Sequence, residues 1–307
     1  MIADRRRTLQ VIAAFAAIYV VWGSTYLAIR YAVEVLPPFL MAGTRFLIAG
    51  TALFGWARLH GASAPTRAQW RTAAIIGALY FLGGNGLLSW SEQRVPSGES
   101  SLLVATMPLW LVLFEAATGI APIPGPRILG GIVLGLSGVA VLVGAPAPGT
   151  GRGVDLLGAG ALVCASALWA IGSLPAVRRG GPASPILGAG MQMLVGSALL
   201  LLLGGATGEI THFDAGAVTL RSVLSLGYLV VFGSLVGFTA FAWLLHSVPP
   251  GRVATYAFVN PLVAVFIGWA VGGESLGPRV LLASALVVAA VALIVTADHG
   301  TVATEAP

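Results

Sequence analysis

The sequence predicts an all-α polytopic membrane protein with ten transmembrane helices in two inverted five-helix repeats. Three observations carry that expectation. Hydrophobic residues make up 57% of the 307 and charged residues 9%, against about 25% charged in an ordinary soluble domain, so most of the surface must meet lipid. Uncharged runs long enough to cross a bilayer recur along the whole chain. A block covering about half the chain then appears a second time.

The spans follow in order. Residues 8–29 come after Arg5-Arg6-Arg7, a basic flank like that of a signal peptide. Their apolar stretch is too long for one and runs on to Arg30, so it reads as a retained first helix. The second run, 35–57, is interrupted by Arg45. The third is 72–91, the fourth 100–126 with Glu115 inside it, and the fifth 128–151. Runs 156–177, 180–208, 222–251, 253–273 and 280–297 complete the ten. Each approaches or exceeds the roughly 20 residues that cross ~30 Å of hydrocarbon at ~1.5 Å per residue. None alternates apolar and polar residues, which favours helices over a barrel.

The repeat is legible in its landmarks. VPSGESSLLVATMPLW at 95–110 is answered by VPPGRVATYAFVNPLV at 248–263. At this shift Trp90 meets Trp243, Pro96 meets Pro249, Gly98 meets Gly251 and Pro108 meets Pro261; Trp22 and Pro38 are likewise matched by Trp169 and Pro185. The halves divide as 1–149 and 150–307, five spans each, and an odd number forces the second half into the membrane from the other side. Arginine counting sets the orientation. With the N-terminus inside, ten arginines fall in inside segments, against Arg30, Arg94, Arg152, Arg221 and Arg279 outside, so both termini are expected in the cytoplasm.

Pro96 and Pro249 fall at the first turn of a helix, where a missing N–H costs nothing. Pro108 and Pro261 lie inside spans, where each frees a carbonyl and kinks the helix. Freed polar groups survive in lipid only if buried or facing a cavity, so the matched pair points to a central site.

Rise per residue puts Trp22, Tyr26, Arg45 and Asn85 roughly 5–12 Å below the outer face, and Trp169, Gln192 and Asn260 roughly 10–12 Å above the inner one. Two polar-aromatic belts therefore flank the midplane. Tyr80, Trp110, Tyr228 and Tyr256 join them as candidate cavity residues, with aromatic rings able to stack on a substrate. Asn85 and Asn260 suit amino or carboxyl groups, and equally suit interhelical hydrogen bonds. Arg45 is the one basic residue well inside a span. It reads either as a helix clamp, which the sequence favours, or as the counter-charge for a substrate carboxylate. Glu115 is expected near the inner end of span four, as an interface residue or, alternatively, a coupling acid.

WGSTYLAIRYAVEVLPPFLMAGTRFLIAG at 22–50, SSLLVATMPLW at 100–110 and FVNPLVAVFIGWAVGGESL at 258–276 resemble the EamA-type transporters of the drug/metabolite transporter superfamily. The likeness is to the bacterial branch of drug/metabolite or amino-acid exporters. The resemblance implies ten helices in inverted repeats, a central cavity, alternating access and export of small metabolites across the bacterial inner membrane. The Gly-Gly-Glu after span nine has no counterpart in the first half, which offers Thr118-Gly119-Ile120.

Other functions are disfavoured. The four Asp and four His lie in loops or at span ends, with no two at metal-ligand spacing, so neither enzyme chemistry nor a metal or other cofactor is expected. The loops are too short for a sensor domain. Cys164 stands alone, which excludes a disulfide within the chain. The isoelectric point near 10.0 comes from scattered arginines and not from a nucleic-acid patch. The expected partners are a small-molecule substrate and the lipid bilayer, with the chain a monomer or weak homodimer. With Glu115 the sole acid inside a span, transport is expected to run as uniport or exchange. A channel-like facilitator, or a proton-coupled drug efflux carrier using Glu115, is the alternative.

Overall fold

The computed structural model describes residues 2–120, 122–144, 155–174, 177, 179–182, 184–248, 253 and 255–297. Every regular element among them is helical. Among the described residues nine helices are long and apolar enough to cross a membrane: α1 (Arg7–Val33), α2 (Pro38–Leu59), α3 (Arg67–Ser91), α4 (Ser97–Ala117), α5 (Pro126–Val143), α6 (Leu156–Ser173), α7 (Pro185–Ala206), α8 (Leu220–Phe241) and α10 (Pro278–Thr296). Between the last two lies α9 (Tyr256–Ala270), apolar but only 15 residues long. The described part of the expected ninth span is this 15-residue helix, and Pro249, at its expected start, lies outside the described residues.

Local chemistry explains where the helices begin. Pro38 and Pro185 open α2 and α7, where no N–H is required. The Thr66 hydroxyl accepts from the Gln69 N–H while the Gln69 side chain accepts from the Thr66 N–H, and this capping box starts α3. Asp155, Ser184 and Thr219 cap α6, α7 and α8 in the same sense. Pro96 stands just ahead of the first turn of α4 rather than within it.

The two inner prolines act differently. Around Pro108 the chain breaks: α4 is helical over Ser97–Val104, turns at Ala105 and Thr106, and restarts at Met107. Pro261 stays inside a continuous α9. Three helices also widen into π-helical stretches, at Ala17–Val21 in α1, Ala78–Gly86 in α3 and Leu229–Val236 in α8. A π stretch carries one extra residue in its hydrogen-bonded ring, and such insertions are frequent at functional sites.

Packing joins the two halves of the chain throughout. α2 lies along α7, and α5 along α10. α1 packs on α8 and α9 as α6 packs on α3 and α4, and α4 meets α9. Gly131 and Gly135 let α5 approach Ile294 and Ala290 of α10. One buried cluster gathers Leu102, Leu103, Leu142, Leu162, Val287 and Val291 from α4, α5, α6 and α10. A second gathers Phe46, Phe81, Met193 and Leu200 from α2, α3 and α7. Leu202, Val133 and Phe266 remain exposed on the outside, as a lipid-facing wall requires.

Candidate functional site

The π stretches place the polar groups of the core. Where the helix widens, backbone carbonyls are left for side chains to satisfy, and three candidate residues take that role. The Trp22 indole N–H donates to Gly233 O at 3.1 Å. The Asn85 amide donates to Tyr80 O, five residues back, at 3.1 Å. The Asn260 amide nitrogen, in the orientation that satisfies both its ends, lies 3.2 Å from Ile18 O and 3.3 Å from Tyr19 O. Each bond fixes a side chain on the wall of one cavity.

That cavity lies between the two buried clusters. Its volume, counted as space open to the centre of a water-sized sphere, is about 130 Å³. At a share of about 30 Å³ per water it holds on the order of four waters, room for a small polar metabolite. Trp22, Thr25, Tyr26 and Ile29 face it from α1, and Gly84, Asn85 and Leu88 from α3. Ser101 to Pro108 line it from the broken part of α4, Trp169 from α6, Gly233 and Phe238 from α8, and Tyr256, Asn260 and Pro261 from α9. Pro108 and Pro261 supply no N–H to the carbonyls of Val104 and Ala257, four residues back, and both those residues also line the cavity.

Aromatic rings make up much of the wall. Phe238, Phe241 and Tyr256 surround Trp22 at ring-centre distances of 5.5, 5.3 and 5.4 Å. Trp169 stacks on Tyr80 at 4.4 Å. Glycines make room for these groups: a methyl at Gly237 would come within 2.3 Å of the Trp22 nitrogen, and one at Gly84 within 2.8 Å of the Trp169 ring.

Arg45 is held by its stem and also reaches the cavity. Its Nε donates to Ser234 Oγ at 2.9 Å, and the guanidinium carbon lies 4.7 Å over the Phe46 ring. Those contacts hold the stem, and the residue as a whole lines the cavity. A methyl at Gly233 would stand 2.9 Å from one terminal nitrogen, so this glycine keeps space beside the charge.

The structure thus brings together Trp22, Tyr26, Arg45, Asn85, Trp169, Tyr256, Asn260, Pro108 and Pro261 on one cavity. Four candidates lie elsewhere. Tyr80 stands behind Trp169 and bonds Ser173 Oγ at 2.8 Å. Trp110 stacks on Phe114, and its indole nitrogen is buried without a hydrogen-bond partner. Gln192 is half-buried on the α7 face that packs against Gly77 of α3. Tyr228 seals the α1–α8 seam through a 2.6 Å bond to Ser24. Glu115 sits half-buried in the last turn of α4, away from the cavity.

A second cluster lies at one end of the bundle, around the glutamate of the Gly-Gly-Glu after span nine and acids the sequence reading passed over. Glu274 Oε1 accepts from the Ser97 N–H at 2.7 Å and the Ser97 hydroxyl at 2.8 Å, and Oε2 accepts from the Gly98 N–H at 2.9 Å. It therefore caps the N-terminus of α4, and it pairs with Arg30 at 3.3 Å. Glu99 pairs with Arg279 at 2.5 Å, both almost wholly buried. Glu92, just beyond α3, is 2% exposed and neither carboxyl oxygen is bonded by a side chain. Burial pushes its carboxyl well above the ordinary carboxylate range and nearby Glu274 adds to this, while the Arg30 charge, a hydrogen bond from the Arg30 backbone and the Arg45 charge oppose it.

The comparisons with known proteins follow this geometry. The chain is 36% identical over 292 residues to the uncharacterized inner membrane transporter YedA of Escherichia coli, covering 94% of this chain and 92% of that one. It is 26% identical over 258 residues to the probable amino-acid metabolite efflux pump of Escherichia coli, covering 81% and 82%. A solved crystal structure superposes with a TM-score of 0.62 at 21% identity, covering 93% of this chain and 96% of that one, a likeness of fold. The model of the EamA-like transporter family matches twice, over residues 9–144 and 156–296. This polytopic protein is a transporter and not an enzyme: it belongs to the EamA-like transporter family.

Proposed function

We propose that the protein is an alternating-access exporter of small carboxylate-bearing metabolites, amino acids foremost, and that it works as a uniporter or exchanger in the bacterial inner membrane. The observation that carries this reading is Arg45: a guanidinium held by its Nε on the wall of a cavity built largely from aromatic rings. A cation there offers a planar fork to a carboxylate, and the rings offer faces to an ammonium group or a side chain. The probable amino-acid metabolite efflux pump of Escherichia coli, a relative over four-fifths of both chains, agrees with that substrate class.

The same reading takes the chain as ten spans in inverted repeats, 1–149 and 150–307, with both termini cytoplasmic. The double family match and the matched helix pairs support the repeats, and the arginine distribution supports the orientation. On this reading α9 counts as the ninth span, entering from the cytoplasmic side. One chain encloses the whole cavity, so a monomer carries the site.

Efflux of labelled amino acids from loaded proteoliposomes tests this. Arg45→Gln is expected to stay monodisperse in detergent and to lose carboxylate efflux, while Arg45→Lys retains part of it. Full efflux in Arg45→Gln would overturn the counter-charge role. A reporter in the 61–65 loop should be active only in the cytoplasm and one at 213–216 only outside; matching locations would break the inverted arrangement.

A further inference from the structure

Glu34, Glu92, Glu99, Asp155, Glu209, Asp214 and Glu274 all belong to the end of the bundle that carries the α1–α2, α3–α4, α7–α8 and α9–α10 connections. Most have a clear role there. Glu34 pairs with Arg221, Glu99 with Arg279 and Asp155 with Arg94. Glu209 accepts from the Phe39 and Leu40 N–H groups at the start of α2, and Glu274 caps α4. Glu92 stands apart, because it is buried and no side chain bonds its oxygens, the Arg30 backbone being its one hydrogen-bonding neighbour among the described residues.

We propose that Glu92 is a proton-binding site that controls closure of this end of the cavity. The Arg30–Glu274 pair and the Glu274 cap join the ends of α1, α4 and α9, three helices that line the cavity, so together they shut it at the acidic end. The charged and titratable groups that face Glu92 are Arg30 and Tyr26 of α1, Arg45 of α2 and Glu274 beyond α9. Glu99 and Arg279 stand behind Glu274. In the closed form a neutral Glu92 fits its buried pocket, whereas an ionised one is a buried charge beside Glu274 that no side chain bonds. Once ionised it competes with Glu274 for Arg30 and loosens the tie between α1 and the exit of α9.

The sign follows from linkage. Burial raises the carboxyl in the closed form above the value it has when open to water. The closed form is therefore favoured fully at pH below the ordinary carboxylate value, and that advantage is lost as pH rises through the raised value. Acid outside closes this end and alkali opens it. Tyr26 and Arg45 stand on the cavity wall, and the Arg45 charge repels a proton moving between the cavity and Glu92. The proton accordingly enters and leaves by the acidic end. Glu92 gates transport without carrying a proton across, which agrees with uniport or exchange.

This inference rests on the alternating-access reading, and the test separates the two. In the full chain with Cys164→Ser, Ser101→Cys reports on the cavity and Ala215→Cys on the exposed outer loop. Right-side-out vesicles are treated with a membrane-impermeant maleimide while the external pH is raised. The labelling rate at position 101, divided by that at 215 to remove thiol ionisation, is expected to climb by up to about tenfold per pH unit, as one proton allows. With Glu92→Gln it should be low and flat, and Glu92→Asp should restore the slope; variants are first checked for monodispersity. A flat ratio in the parent, or an unchanged slope in Glu92→Gln, overturns the gate alone. Labelling of position 101 from both faces at once overturns alternating access and the gate with it. A proton flux that accompanies substrate and disappears in Glu92→Gln would show coupled antiport and overturn the one-sided gate.

Discussion

The two ends of the bundle are held by different chemistry. At the acidic end, four ion pairs and two carboxylate caps tie together helices far apart in sequence. At the other end neutral and singly charged ties appear: Thr72 donates to Arg179 O, Tyr19 meets Thr255, and Arg127 donates to Thr296. The contrast is sharpest where the two halves should match. Gly273-Glu274 after α9 caps the start of α4, whereas Gly119-Ile120 after α4 offers no carboxylate to return. Charge therefore ties one end far more than the other, and under the proposed alternating access that end is the one open to regulation.

The buried pair at the acidic end should give the largest effect. Arg279→Met leaves Glu99 buried and unpaired, and is expected to cost about 3–5 kcal/mol in detergent unfolding, whereas Arg279→Met with Glu99→Leu should come back close to the parent. If the single and double variants are equally unstable, the pair is not what joins α4 to α10. Glu274→Gln comes next. It weakens charge-assisted bonds to three donors of α4, and is expected to cost about 2 kcal/mol and to speed maleimide labelling of Ser101→Cys. No change in labelling would mean that the cap only stabilises α4 and closes nothing.

Smaller effects probe the other end. Ile120→Glu restores Gly-Glu after α4 and is expected to add less than about 1 kcal/mol, with a slower turnover, because a helix N-terminus gains a carboxylate. Faster turnover would show that this end is not limited by a missing latch. Arg221→Gln breaks an exposed pair with Glu34 and should change stability by no more than about 0.5 kcal/mol, less still at high salt.

The site shows why part of it was readable in advance. Trp22 and Tyr26, four residues apart, share one face of α1, so depth along the helix was enough to find both. Tyr80 fails the same reasoning. Four residues before Gly84, it should share that face of α3, but the π stretch over Ala78–Gly86 shifts the register so that Asn85 bonds Tyr80 O and the Tyr80 ring turns behind Trp169. Trp110, Gln192 and Tyr228 lie at suitable depths on the wrong faces, because depth along a helix says nothing of direction around it.

The sequence by itself determined a polytopic helical membrane protein, because so few charges cannot clothe a surface in water, and helices satisfy their own backbone in lipid. It also determined the duplication, because Trp and Pro landmarks cannot drift together by chance. Only the tertiary structure decided which faces meet. It turned Arg45 to a cavity wall, broke α4 at Thr106, and left α9 a short helix. It also buried Glu92, which in sequence is one more acid beyond the end of a span. Burial and partnership depend on residues hundreds of positions apart, and a carboxylate's protonation is set by those neighbours and not by its place in the chain.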